Sequence, residues 1–132
     1  MATRTQARES VVGLLFAYDL GNEEIAKFSD EILEDKKIRN KQKDFALRLF
    51  DGVMSNIEAI DTEISTHLNE RGIEGIGAVE KSILRLAVYE IVFSSLDRPV
   101  AINEAIELTK KLAGDSAPKF INGVLDKIEK KA

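Results

Sequence analysis

The chain has 132 residues with no cysteine and a single histidine, His67. That suits one ordinary domain able to close a core unaided, and it excludes disulfide frameworks, thiolate zinc sites and cysteine nucleophiles. No apolar run approaches the roughly 20 residues that cross a bilayer and the start lacks the apolar core of a signal peptide, so the expected compartment is the reducing cytoplasm. A formal net charge of −4 counts against nonspecific nucleic-acid binding, which depends on concentrated Lys and Arg, so any RNA site must be local.

Ile, Leu, Val and Ala recur at helical rather than strand spacing, which predicts an all-α protein. A first helix is expected over residues 3–20, with Val11, Val12, Leu15, Phe16 and Tyr18 on its apolar side and Gly21-Asn22 ending it. A second, over 23–36, sets Ile25, Phe28, Ile32 and Leu33 on one face and acids on the other. From 40 to about 69 the apolar residues Phe45, Leu49, Phe50, Val53, Ile57, Ile60, Ile64 and Leu68 hold helical period beyond one usual helix, so a break is expected between Gly52 and Asn56.

Arg71-Gly72 and Gly75-Ile76-Gly77 then punctuate the chain, and the border between two packed helical subdomains, about 1–70 and 77–131, is expected there. Between Ile83 and Phe93 only Arg85 and Glu90 are charged, which predicts a helix running through the core. Pro99 follows as a breaker. Ile102, Ala105, Ile106, Thr109 and Leu112 make an amphipathic helix that Gly114 closes in a left-handed cap. The last helix carries Pro118 in its first turn and a stripe of Phe120, Ile121, Val124, Leu125 and Ile128.

Charge is segregated along the chain. Lys36, Lys37, Arg39, Lys41, Lys43 and Arg48 face only Asp44 within their stretch, whereas Glu58, Asp61, Glu63, Glu70, Glu74 and Glu80 are opposed by Arg71 alone. Arg4 and Arg8, four apart, share one side of a helix start, where they form either a phosphate grip or an ordinary solvated end; spacing alone favours the latter. Phe120, beside Lys119 and just after Ser116, is either a base-stacking ring next to a cation and a helix amino terminus or simply core, and the 120-124-128 stripe favours core. Gly123 within that helix costs about 1 kcal/mol relative to Ala, and close helix packing is the reason the sequence suggests.

The chain offers no nucleophile with a base, no metal cluster and no phosphate-cradling glycine loop at usable spacing, so neither an enzyme nor a cofactor is expected. His67 reads as a helix-surface or satisfied core residue.

Two stretches, Val79-Glu80-Lys81-Ser82-Ile83-Leu84-Arg85-Leu86-Ala87-Val88-Tyr89-Glu90-Ile91 and Ala101-Ile102-Asn103-Glu104-Ala105-Ile106-Glu107-Leu108, resemble the signatures of the NusB transcription antitermination family. Lys119-Phe120-Ile121-Asn122-Gly123-Val124-Leu125-Asp126-Lys127 resembles its closing helix, and length and helix order agree from end to end. At the start, Ala7-Arg8-Glu9 matches the family's arginine-rich segment, with Thr5 and Gln6 where other members often carry arginines.

The resemblance implies about seven helices in two packed subdomains. It also implies recognition of the single-stranded boxA element of nascent ribosomal RNA together with the ribosomal protein NusE, and entry of that pair into the RNA polymerase elongation complex. By position it implies RNA contacts at Arg4, Arg8, Ser116, Lys119 and Phe120, and NusE contacts at Phe16 and Glu80. Two other readings remain open. One is a stand-alone relative of the RNA-binding domain fused to ribosomal-RNA cytosine methyltransferases. The other is a helical adaptor or homodimer that binds protein only. On the RNA reading, the few cations and the Phe120 ring are expected to gather in one groove.

Overall fold

A computed structural model of the chain describes residues 2–68 and 72–129. Seven α-helices follow one another among these residues: α1 Arg4–Asp19, α2 Ile25–Asp35, α3 Lys41–Ser55, α4 Ile57–Thr66, α5 Ala78–Phe93, α6 Arg98–Leu112 and α7 Ala117–Leu125. A 3-10 turn, Ile73–Gly75, lies before α5. None of the helices is long and apolar enough to cross a membrane.

Several helix boundaries have a local cause. Thr3 caps α1 reciprocally with Gln6: the Gln6 amide donates to Thr3 Oγ1 (3.0 Å) while the Thr3 amide donates to Gln6 Oε1 (2.8 Å). Gly114, at φ +90°, takes up the left-handed turn after α6, as its position predicts. Pro118 falls in the first turn of α7, where a missing N–H costs nothing. Pro99 also lies in a first turn, that of α6, so it opens the helix and does not separate it from α5.

The expected break in the long 40–69 segment falls at Asn56, between α3 and α4, and Asn56 Nδ2 donates to the Gly52 carbonyl (2.8 Å). Gly52 itself causes no bend. It stands in mid-helix because a Cβ there would overlap the Tyr89 ring of α5. Of the segment expected to carry the subdomain border, Glu70 and Arg71 lie outside the described residues, and the rest, Gly72 to Gly77, holds the 3-10 turn that leads into α5.

The buried apolar side chains form one cluster to which every α-helix contributes, with Leu14 and Leu15, Leu33, Phe50, Ile60, Ile83 and Leu84, Leu108, and Ile121 and Leu125 among its members. As expected, α5 runs through it, buried almost all round from Ile83 to Ile91. Burial there encloses charges, and each finds a partner on another helix. Arg8 of α1 makes two parallel bonds to Glu90 of α5, Nε to Oε1 and Nη2 to Oε2, both 2.9 Å.

Nearer the other end of α5, Arg85 donates to Asp61 of α4 (2.9 and 2.8 Å) and to Asp19 of α1 (3.1 Å), and Asp19 also accepts from Lys81 (3.3 Å). Burial pushes the Arg85 guanidinium down, but its hydrogen bonds and charge interactions with Asp61 and Asp19 outweigh this and hold it above its ordinary value. These contacts run α1 antiparallel to α5: the start of α1 meets the end of α5, and the end of α1 meets its start.

Candidate nucleic-acid interface

The residues singled out from the sequence separate into two grooves. The larger, about 1030 Å³, has one wall built by α7 and its approach: Ala113, Ser116, Ala117, Lys119, Phe120, Gly123, Val124 and Lys127. The facing wall comes from the end of α4 and the glycine-rich connection into α5: Thr66, His67, Leu68, Gly72, Gly75, Ile76, Gly77 and Glu80. Amphipathic α7 explains the first wall, because it buries Ile121, Val124 and Leu125 and so turns positions 116, 119, 120, 123 and 127 outward.

Phe120 is therefore not part of the buried stripe, as its spacing had suggested. The residue is 41% exposed. An apolar ring left open beside a lysine presents a stacking face with a cation within reach of a phosphate. Neither Lys119 nor Lys127 makes an ion pair among the described residues, so both charges are free to meet an anion. Ser116 is exposed at the N-cap of α7, its side chain unused in capping.

Glu80, in the first turn of α5, brings a carboxylate to the opposite wall. Its Oε2 lies where a Cβ on Gly77 would stand, so the glycine admits the acid at that wall. His67 follows the end of α4 as its C-cap residue, 3.8 Å from Glu63 and partly buried, between the helix-surface and core readings that the sequence left open.

Arg4 and Arg8 lie elsewhere. They border a second groove with Phe45, Arg48, Leu49, Tyr89 and Glu90. The expected shared side is observed, since both guanidinium carbons stand over the Phe45 ring, at 4.5 Å for Arg4 and 5.1 Å for Arg8. Only Arg4 is exposed. Arg8 is 4% exposed, fastened to Glu90 and 3.8 Å from Glu104, so its charge is spent inside the protein.

The picture of one groove holding both arginines and the aromatic ring is thus replaced by two loci. Arg8 is held at Glu90 and Glu80 belongs to the Phe120 groove; ten residues of α5 separate them, about 15 Å at 1.5 Å per residue. Thr5 and Gln6, at positions where the sequence lacks the arginines common in the proteins it resembles, have structural tasks: Thr5 Oγ1 donates to Glu104 (3.2 Å) and Gln6 completes the α1 cap.

Sequence reasoning did not single out Arg48, which borders the second groove, is exposed and makes no ion pair among the described residues. Its neighbours in the basic run are partly neutralised by acids of α2: Lys43 contacts Glu34 (2.6 Å) and Asp30 (3.0 Å), and Arg39 contacts Glu34 (3.3 Å). A helical offset of three from Phe45 was the signal that could have found Arg48.

Phe16, half-buried on α1, is three residues before Asp19, and Asp19 binds Lys81, the neighbour of Glu80. The two residues expected to meet a protein partner thus share one end of the α1–α5 pair, next to the Phe120 groove. Beside them Leu20 is an exposed apolar side chain.

Comparison with known proteins agrees with this architecture. The transcription antitermination protein NusB of Aliarcobacter butzleri is 68% identical over 130 residues, covering 98% of this chain and 99% of its own length. NusB of T. maritima superposes with a TM-score of 0.87 at 34% identity, over 96% of this chain and 90% of the other. A crystal structure of antitermination factors NusB and NusE in complex with dsRNA matches with a TM-score of 0.86 at 36% identity, over 95% of this chain and 94% of that one. The model of the NusB family matches residues 5–130, and with helix order, core and sequence in agreement, the chain belongs to the NusB family.

Proposed function

We propose that the protein is a transcription antitermination factor that binds the boxA element of nascent ribosomal RNA with the ribosomal protein NusE in the cytoplasm, and that the pair joins elongating RNA polymerase. The observation that carries this reading is the open Phe120 ring, which lines a groove of about 1030 Å³ together with Ser116 and Lys119. The ring stacks a base, a contact usually worth about 1 to 3 kcal/mol, and Lys119 meets the neighbouring phosphate. Arg4, at the other locus, holds a second phosphate, while Arg8 supports it by fixing the Phe45 ring on which both guanidiniums rest.

NusE is placed against Phe16 and Glu80. A carboxylate in an RNA groove repels phosphate, so Glu80 is better suited to a cation of a basic partner. With a net charge of −4, the chain alone binds RNA weakly and gains affinity once such a partner adds contacts.

A titration of boxA-containing and scrambled single-stranded RNAs, at a stated salt concentration and with and without NusE, tests the proposal. Phe120→Ala lowers boxA affinity about 5- to 150-fold, the equivalent of the stacking energy, and leaves thermal stability nearly unchanged because the ring is open. Unchanged affinity with a lowered melting temperature would instead make Phe120 a packing residue. Running the same titration with double-stranded RNA reports whether the groove requires unpaired bases.

A further inference from the structure

We infer that Gly123 is a clearance residue: it has no side chain so that the space in front of the Phe120 ring stays open for the nucleotide stacked there. The inference rests on the RNA-binding reading of that groove. Glycine weakens a helix, and it persists in one for a small number of reasons, each of which leaves a mark. Close packing against a neighbouring helix is excluded here, since a Cβ built on Gly123 meets nothing within 4 Å and the residue is exposed.

A left-handed backbone is excluded as well, because the glycines at positive φ are Gly21, Gly72 and Gly114. Nor is Gly123 needed to end α7. The Asp126 amide reaches the Asn122 carbonyl at 2.9 Å, and Arg98 donates to the carbonyls of Leu125, Asp126 and Ile128 at 3.2, 2.6 and 2.7 Å, so this helix end is closed by a guanidinium. What remains is the groove itself. Gly123 lines it three residues after Phe120, on the same face of the helix, where a side chain would stand in the groove space beside the ring.

The inference makes stability and binding move in opposite directions. Gly123→Ala removes a helix-weakening residue from an uncrowded position and raises Tm by a few degrees. Gly123→Leu reaches further into the groove than the methyl of alanine. With a fluorescein-labelled single-stranded boxA RNA and NusE at fixed salt, affinity falls about 3-fold or more for Gly123→Ala and further for Gly123→Leu, while both variants melt at or above the parent temperature.

Unchanged affinity in both variants overturns the clearance role, and so does a drop in Tm, which would reveal a packing requirement. Phe120→Ala in the same titration separates this inference from the reading beneath it. If Phe120→Ala weakens binding and the Gly123 variants do not, the clearance role alone fails; if Phe120→Ala has no effect, both fail.

Discussion

Arg4 and Arg8 show how differently two identical side chains, one helical turn apart, can be used. Arg8 is buried with Glu90 as its bidentate partner, and removing one member of such a pair strands the other charge without water. Arg8→Ala is therefore expected to cost about 3 to 5 kcal/mol in urea denaturation, whereas Arg4→Ala, which loses one exposed cation–π contact, costs about 1 kcal/mol or less and weakens RNA binding instead. An Arg8→Ala protein as stable as the parent would contradict the structural role. Spacing correctly placed both arginines on one side of α1, but it could not show which is buried, because Glu90 stands 82 positions away in the chain. Spacing alone pointed Phe120 to the core for a related reason: positions 120, 124 and 128 share a stripe on paper, yet the packed face of α7 is centred on Ile121, Val124 and Leu125, leaving the ring at its edge.

Among the elements, the turn from α2 to α3 departs most from local preference. The Lys37 amide donates to the Glu34 carbonyl (3.0 Å) and the Ile38 amide to that of Leu33 (2.9 Å), with Leu33 and Ile38 both buried. This is the Schellman arrangement, in which the residue at the left-handed position is usually glycine. Here it is Lys37, at φ +63°. Lys37→Gly relieves the left-handed strain and, after the extra entropy of a glycine in the unfolded chain is subtracted, should stabilise the protein by about 0.5 to 1 kcal/mol in thermal or urea unfolding. A loss of stability would mean that the lysine side chain holds the turn through its own contacts. Elements with strong punctuation, such as the Gly114 cap and the Pro118 start, were legible in sequence because a single residue type fixes the backbone there. The end of α2 fell within a residue of its expected place at 36, but the left-handed turn that makes it was not legible, since its signal is the pair Leu33 and Ile38 meeting in the core.

Across the whole molecule, α5 is the reference against which the other parts are set. Buried ion pairs fasten it to α1 near both ends, through Glu90 and through Lys81 and Arg85, and to α4 through Asp61. The all-helical plan was readable because periodicity survives without partners, whereas the placement of Arg4 and Phe120 at opposite ends of this helix depended on tertiary contacts that spacing does not encode. The geometry gives the protein a minimum footprint on its ligand. Two loci set at least about 15 Å apart along a rigid rod act as a ruler, so an oligomer too short to span that gap reaches only one of them. Affinity measured against oligomer length should therefore rise in a step at the length that spans it, as a second contact becomes intramolecular, and Arg4→Ala should flatten the step while leaving the shortest oligomers bound as before.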